Sequence, residues 1–228
     1  MNSFIWNGKD SYEDFGIVIT KLPPEVIPES DIEEIPIVGR DGDLTIDNNA
    51  KKSYTLPIDC TLLDSNRIQE VKMWLMGGLG DLIFNWQQDY KYEAKLNNKI
   101  DIAQSMDICG EFQIIFKVKP YKKSINDNVI TLDYAGTLYN SSGNLSKPTI
   151  KLYGMGDITL IVNSKTVKLT NIDEYVTIDS DMQNASKDTL PKNNNMDGEF
   201  PILEVGNNTI SWTGNVTKLE IKPNWRYI

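Results

Sequence analysis

The sequence predicts a mainly β protein in two parts: an α+β first half with one helix, and an all-β second half of sandwich or barrel type. Three observations carry this reading. Apolar residues recur at every second position in many short stretches, the period of a half-buried strand. Only one stretch has helical spacing. Past residue 128, strand signals alternate with turns at intervals near ten residues, the cadence of a sandwich or barrel.

Taken in order, "EEIPIVGRDGDLTID" predicts two strands joined through Gly39-Arg40-Asp41-Gly42, with an Asp-Gly turn signal. In "SYTLPIDCTL", Tyr54, Leu56, Ile58, Cys60 and Leu62 alternate with polar neighbours. Pro57 interrupts that strand, has no N–H to give a ladder, and so predicts an unpaired side or a bulge. "LLDSNRIQEVKMWLMGG" predicts the helix: Asp64 or Ser65 caps it, Ile68, Val71 and Leu75 share a face, and Gly77-Gly78 stops it after twelve or so residues. "DLIFNW" and "EFQIIFKVKP" continue as strands.

A polar stretch without periodicity, "KKSINDN", places the domain boundary, with a first domain at 1–121 and a second at 122–228. In the second, "VITLDY", "PTIKLYG", "DITLIVN", "KTVKLT" and "EYVTID" predict separate strands. "DMQNASKDTLPKNNNMDGE", residues 181–199, has no apolar face and is expected to be a long exposed mobile loop. Near the C-terminus, Thr213-Gly214-Asn215 is expected to turn the chain into a closing hairpin, with Ile210 and Trp212 on one strand and Leu219 and Ile221 on the next. Pro223 ends the pairing.

Composition narrows function. The chain of 228 residues has no histidine, which removes the commonest general base and metal ligand and every nucleophile–histidine arrangement. No catalytic residues, metal or cofactor are expected. The net charge is −9 with 23 scattered basic residues, and the nearest basic cluster is "KVKPYKK" at 117–123. Tight nonspecific DNA binding draws on about 6–10 phosphate contacts, so specific nucleic-acid binding is not expected. No apolar run reaches the ~18 residues of a membrane span, and "MNSFIWNGKD" lacks the apolar core of a secretory leader. Folding in a cytoplasm is the expectation, and the thiols of Cys60 and Cys109 are expected to be free and buried.

Three constellations invite chemical readings and have plainer ones. "GRDGD" lacks the Lys-Ser/Thr end of a phosphate loop and the twelfth-position glutamate of a calcium loop, which leaves a hairpin tip. Asp31, Glu33 and Glu34 could be imagined as a glycosidase pair, but nothing apolar surrounds them to raise a carboxyl pKa, and a solvated face fits better. Of the five tryptophans only Trp212 and Trp225 lie in the second half, and Trp212, in register with Ile210, is expected to fill the core rather than hold a sugar.

Four stretches together resemble the distal tail protein (Dit) family of tailed bacteriophages. They are "FIWNGKDSYEDFGIVI", "VGRDGDL", "RIQEVKMWLMGGLGDLIF" and "GEFPILEVGNNTISWTGNVTKLEIKPNWRYI", and they stand in the family's order from end to end. One departure is Asn224, where the family often has arginine after the final proline. The resemblance implies a first domain that assembles as a belt into a hexameric ring and a galectin-like β-sandwich as the second. The ring would be a structural hub of the virion, between the tail tube protein and the tail-tip or tail-associated protein, with a receptor-binding protein as a further neighbour. It would be assembled in the host cytoplasm without membrane insertion, and its channel would let DNA pass.

Exposed strands must hide their unpaired amides, and head-to-tail closure of copies does so. The Ile35–Ile46 hairpin is therefore the expected contact or channel wall, through Ile35, Ile37, Arg40, Leu44 and Ile46. A second reading, from another class, is a carbohydrate-binding module for host-surface glycans. A third is a carboxylate-based wall hydrolase.

Overall fold

The structure is a computed structural model describing residues 1–97 and 111–228. Cys109 lies outside the described residues. By its contacts the chain divides into two units, one of residues 1–125 together with Ile228 and one of residues 126–227.

The first unit is built on one curled antiparallel sheet. Its strands are β1 (Phe4–Trp6), β2 (Lys9–Asp10), β3 (Ile17–Lys21), β6 (Tyr54–Leu62), β7 (Leu79–Phe84), β8 (Tyr90–Leu96), β9 (Glu111–Val118) and β10 (Lys122–Ser124). They follow the order β2-β1-β7-β8-β9-β6-β3, with β10 beside β8. Alternation decides which face is buried. Leu56, Ile58, Cys60 and Leu62 of β6 point into the core, and Leu56 pairs with Phe116 and Ile58 with Ile114 of β9. Pro57 lies past the end of the β3 pairing, which runs only from Leu62 to Asp59, so its missing N–H costs no ladder bond there. The curl brings the two ends of the sheet together: the Ile19 amide donates to the Asn2 carbonyl at 3.0 Å. Because Lys122–Ser124 pairs with β8, the first unit extends past residue 121.

The helix α1 (Ile68–Leu75) is shorter than the sequence spacing suggests. A 3-10 turn, Ser65–Arg67, precedes it, opened by Asp64, whose Oδ1 accepts the Asn66 amide at 3.0 Å. The helix buries Val71 and Leu75. Trp74 does more: its ring stacks on Phe15 with centroids 4.2 Å apart and on Phe4 at 5.6 Å, and its Nε1 donates to the Trp6 carbonyl at 2.9 Å. The glycines after the helix have a steric cause. Asn7, at φ 50 in an Asn-Gly turn between β1 and β2, lays its carboxamide over Gly77 and Gly80, and a Cβ on Gly80 would fall 1.7 Å from Asn7 Oδ1. Cys60 is buried as expected, and burial, with the Asp59 charge second, pushes its thiol up to about 12.

Two further strands of this unit, β4 (Ser30–Pro36) and β5 (Asp43–Lys51), form a separate two-stranded sheet.

In the second unit, two long strands organise everything: β13 (Thr149–Val162) and β19 (Gly206–Lys222). They pair with each other along most of their length, and the register slips between Tyr153 and Gly154 and again between Met155 and Thr159. On one side of the slip, β13 pairs with β15 (Tyr175–Asp179) and β19 with β11 (Ile130–Leu132). On the other, β13 pairs with β14 (Lys165–Ile172) and β19 with β12 (Gly136–Asn140). One bent sheet thus supplies two layers around a single core that includes Ile150, Leu152, Leu160, Ile210, Leu219 and Ile221.

This corrects two expectations. "PTIKLYG" and "DITLIVN" form one strand, and Thr213-Gly214-Asn215 is a bend inside β19 rather than the turn of a closing hairpin. The glycines permit close approach: a Cβ on Gly154 would lie 2.4 Å from the Asn215 carbonyl oxygen, and one on Gly214, at φ 103, would lie 2.6 Å from that of Asp157. Trp212 packs, half-buried, against the core.

Residues 181–199 also differ from expectation. They hold β16 (Asn184–Lys187), β17 (Leu190–Pro191) and β18 (Met196–Asp197), which pair with β15, β16 and β14 in turn. Ala185 is fully buried, and the Asn193 side chain accepts its amide at 2.6 Å. The asparagines that suggested a loop serve as local hydrogen-bonding groups for short strands. Asn224, the departure noted above, stands at φ 54, a conformation that suits asparagine, and bonds the Lys147 carbonyl and Thr149 Oγ1, each at 3.1 Å.

Candidate functional site

The surface that stands out is the β4–β5 arm. Strand β5 has nine residues, a reach of roughly 30 Å at about 3.4 Å per residue. Every residue from Ile32 to Ala50 is exposed. Pairing of Ile35 with Leu44 and of Glu33 with Ile46 puts those four side chains on one face. Ile32, Glu34, Thr45 and Asp47 occupy the other.

The expected site residues separate accordingly. Ile35, Leu44 and Ile46 share the first face, and they remain 37%, 41% and 40% exposed. Ile37 follows the end of β4 and is equally open. Arg40 sits in the tip, where its amide donates to the Ile37 carbonyl at 3.2 Å, between Gly39 at φ 81 and Gly42 at φ 80. It makes no ion pair among the described residues. "GRDGD" is thus a hairpin tip, where two left-handed backbone positions require glycine.

Sequence reasoning missed Val38, which is fully exposed at the tip, and the open Leu22 and Ile27 in the segment before the arm. The apolar run "IPIVG" ahead of a turn was the available signal for Val38.

An isolated two-stranded ribbon is marginal in water. This one carries apolar side chains and free strand edges that invite a partner. Its charge is uneven. Residues 30–52 hold six acids against three bases, a net −3. Asp31 is engaged by Lys52 at 3.8 Å and by Asn48 at 3.3 Å, while Glu33 and Glu34 lie across from Ile46 and Thr45. Among the described residues, no group of three or more acidic or cysteine side chains is placed to hold a metal, and no helix is long and apolar enough to cross a membrane.

In the main sheet of the first unit, Glu93 of β8 joins two cations, Lys123 at 2.9 Å and Lys119 at 3.1 Å. Burial alone would raise its carboxyl, but the hydrogen bonds and charges of the two lysines prevail and hold it below the ordinary range.

The fold defined by these elements is mainly β, a curled sheet with one helix followed by a bent two-layer sheet. A crystal structure with this fold is that of the Dit (gp 19.1) protein of SPP1, described as a paradigm of the hub adsorption apparatus in phages that infect Gram-positive bacteria. The likeness covers 100% of both chains with a TM-score of 0.73, at 12% sequence identity. No protein-family model matches the chain, and no curated protein matches it in sequence.

Proposed function

We propose that this chain is a structural component of a phage tail tip, a hub that assembles with copies of itself and with neighbouring tail proteins. The observation that carries the reading is the apolar arm on a chain whose whole length shares the fold of a tail hub. Copies close head to tail into a hexameric ring through Ile35, Ile37, Arg40, Leu44 and Ile46, which hides the open β edges and apolar faces together. A stable contact of this kind buries about 1,000 Å² or more, and both faces of the arm contribute.

In this reading the first domain is the belt and the second is the galectin-like sandwich on its periphery. The ring joins the tail tube protein to the tail-tip protein, with a receptor-binding protein beside it, and resides in the virion after assembly in the host cytoplasm. Six copies carry a formal charge of −54 from −9 each. An acidic channel wall repels passing DNA and keeps it from sticking.

The test is assembly. Leu44→Asp and Ile46→Asp together place charge on the apolar face without touching either core. Wild-type protein, alone or mixed with the tube and tip proteins, gives rings in negative-stain images and the mass of a closed oligomer in light scattering. The double variant gives monomers with an unchanged melting temperature. Wild-type protein that stays monomeric with both neighbours present defeats the proposal.

A further inference from the structure

The two faces of the arm differ in chemistry. Ile32 pairs with Asp47, Glu34 with Thr45 and Pro36 with Asp43, so one face of the ribbon carries three carboxylates and no base. None of the three makes an ion pair among the described residues. Every residue from Ile32 to Ala50 is exposed, so the arm does not rest on its own sheet.

The main sheet of the first unit carries the opposite charge. Ala94, Phe116 and Val118 face the core, and alternation turns their neighbours outward. That outer face holds Lys91, Lys95, Lys117, Lys119 and Lys123, with Asp81 and Glu93 among them. Five bases less two acids leave +3 on a chain whose net charge is −9. Both acids are already engaged: Asp81 by Lys91 at 2.7 Å, Glu93 by Lys119 and Lys123.

Lys95 and Lys117 are left over. They stand directly opposite each other across β8 and β9, both exposed, and neither makes an ion pair among the described residues. Like charges so placed destabilise a strand pair. The sheet keeps a repulsion that an acidic partner would relieve.

The spacings match as well. Asp43 and Asp47 are four residues apart on β5, as Lys91 and Lys95 are on β8. At about 3.4 Å per residue both spans are roughly 14 Å. A ribbon packed on a sheet keeps its strands within about 30° of those beneath, so the two rows of charge can meet along the contact.

We infer that the lysine-bearing outer face of this sheet seats the acidic face of the arm of a second copy. The contact joins two different surfaces, which is what head-to-tail closure needs. It rests on the assembly proposed above and adds which surface receives the arm and that charge steers it there.

The test is charge reversal in the full-length chain, with assembly followed by light scattering and negative-stain imaging, alone and with the tube and tip proteins. Lys95→Glu with Lys117→Glu weakens assembly about tenfold or more, and so does Glu34→Lys with Asp43→Lys. Mixing the two variants restores it, because each then offers the other one matched pair of surfaces; misfolded chains would not recover in this way. Lys168→Glu with Lys222→Glu, the same change of net charge on the second unit, leaves assembly within about twofold of wild type. Raising the salt slows wild-type assembly and has no such effect on the lysine-reversed variant.

If wild type assembles and the lysine reversal does so equally well, the inference falls and the hub reading stands. Unchanged self-assembly with lost binding to the tube or tip protein gives the face to that neighbour and also overturns it. Failure of the mixture to recover counts the same way. Wild type that never assembles defeats both readings together.

Discussion

Gly214→Ala is the sharpest test of how the second unit is built. Two costs add. The residue sits at φ 103, outside the left-handed pocket that L-residues tolerate, a strain of about 1–3 kcal/mol. Its new methyl would lie 2.6 Å from the Asp157 carbonyl oxygen and 3.1 Å from Ile158 Cα. Those are backbone atoms of the paired strand, which cannot swing aside as a side chain can, and relieving the overlap costs about 1–3 kcal/mol more.

The sum is about 2–6 kcal/mol, which for a unit of about 100 residues lowers its melting temperature on the order of 10–30 °C. Differential scanning calorimetry of the full chain reads the shift. The control is Gly156→Ala, at φ 80 with no atom within 4 Å of the added Cβ. It carries only backbone strain, about 1–2 kcal/mol. If Gly214→Ala costs no more than Gly156→Ala, crowding at the bend is not what reserves the position for glycine.

Trp74→Ala removes a ring stacked on Phe4 and Phe15 and should destabilise the first unit by about 3–5 kcal/mol in urea unfolding, whereas Trp74→Phe keeps the stack and loses about 1 kcal/mol with its hydrogen bond. The depressed pKa of Glu93 contributes stability that is fully present above the unfolded value near 4.3 and fades as pH falls through the lower folded value, so Glu93→Gln should flatten the acid limb of stability against pH below about 4.5. Gly80→Ala collides with the Asn7 carboxamide, and placing it on an Asn7→Ala background should recover on the order of 1 kcal/mol of its cost in a double-mutant cycle.

Where alternation is uninterrupted, local pattern and tertiary burial agree. β6 buries Leu56, Ile58, Cys60 and Leu62 of the alternating set that the sequence marks, and the same holds for the Val71–Leu75 face of the helix. The bends were illegible for a physical reason. A glycine between two apolar runs signals a turn when it ends a strand and a kink when it lets paired strands bend together, and only the partner strand distinguishes the two. Gly154 and Gly214 crowd each other's neighbours across the β13–β19 pair, a relation between positions sixty residues apart in the chain.

Residues 181–199 differ for another reason: Asn193 and Asn195 bond backbone, a role composition cannot separate from that of a solvated loop. The arm was visible because exposed alternation around a turn is local.

The two bent strands have a mechanical consequence. Both layers of the second unit share the same two backbones, so neither layer can slide off the other or melt alone without unpairing β13 from β19. A pull along these strands loads their rungs side by side in shear instead of peeling them one at a time. The second unit should yield to traction abruptly and as a whole, like a riveted lap joint.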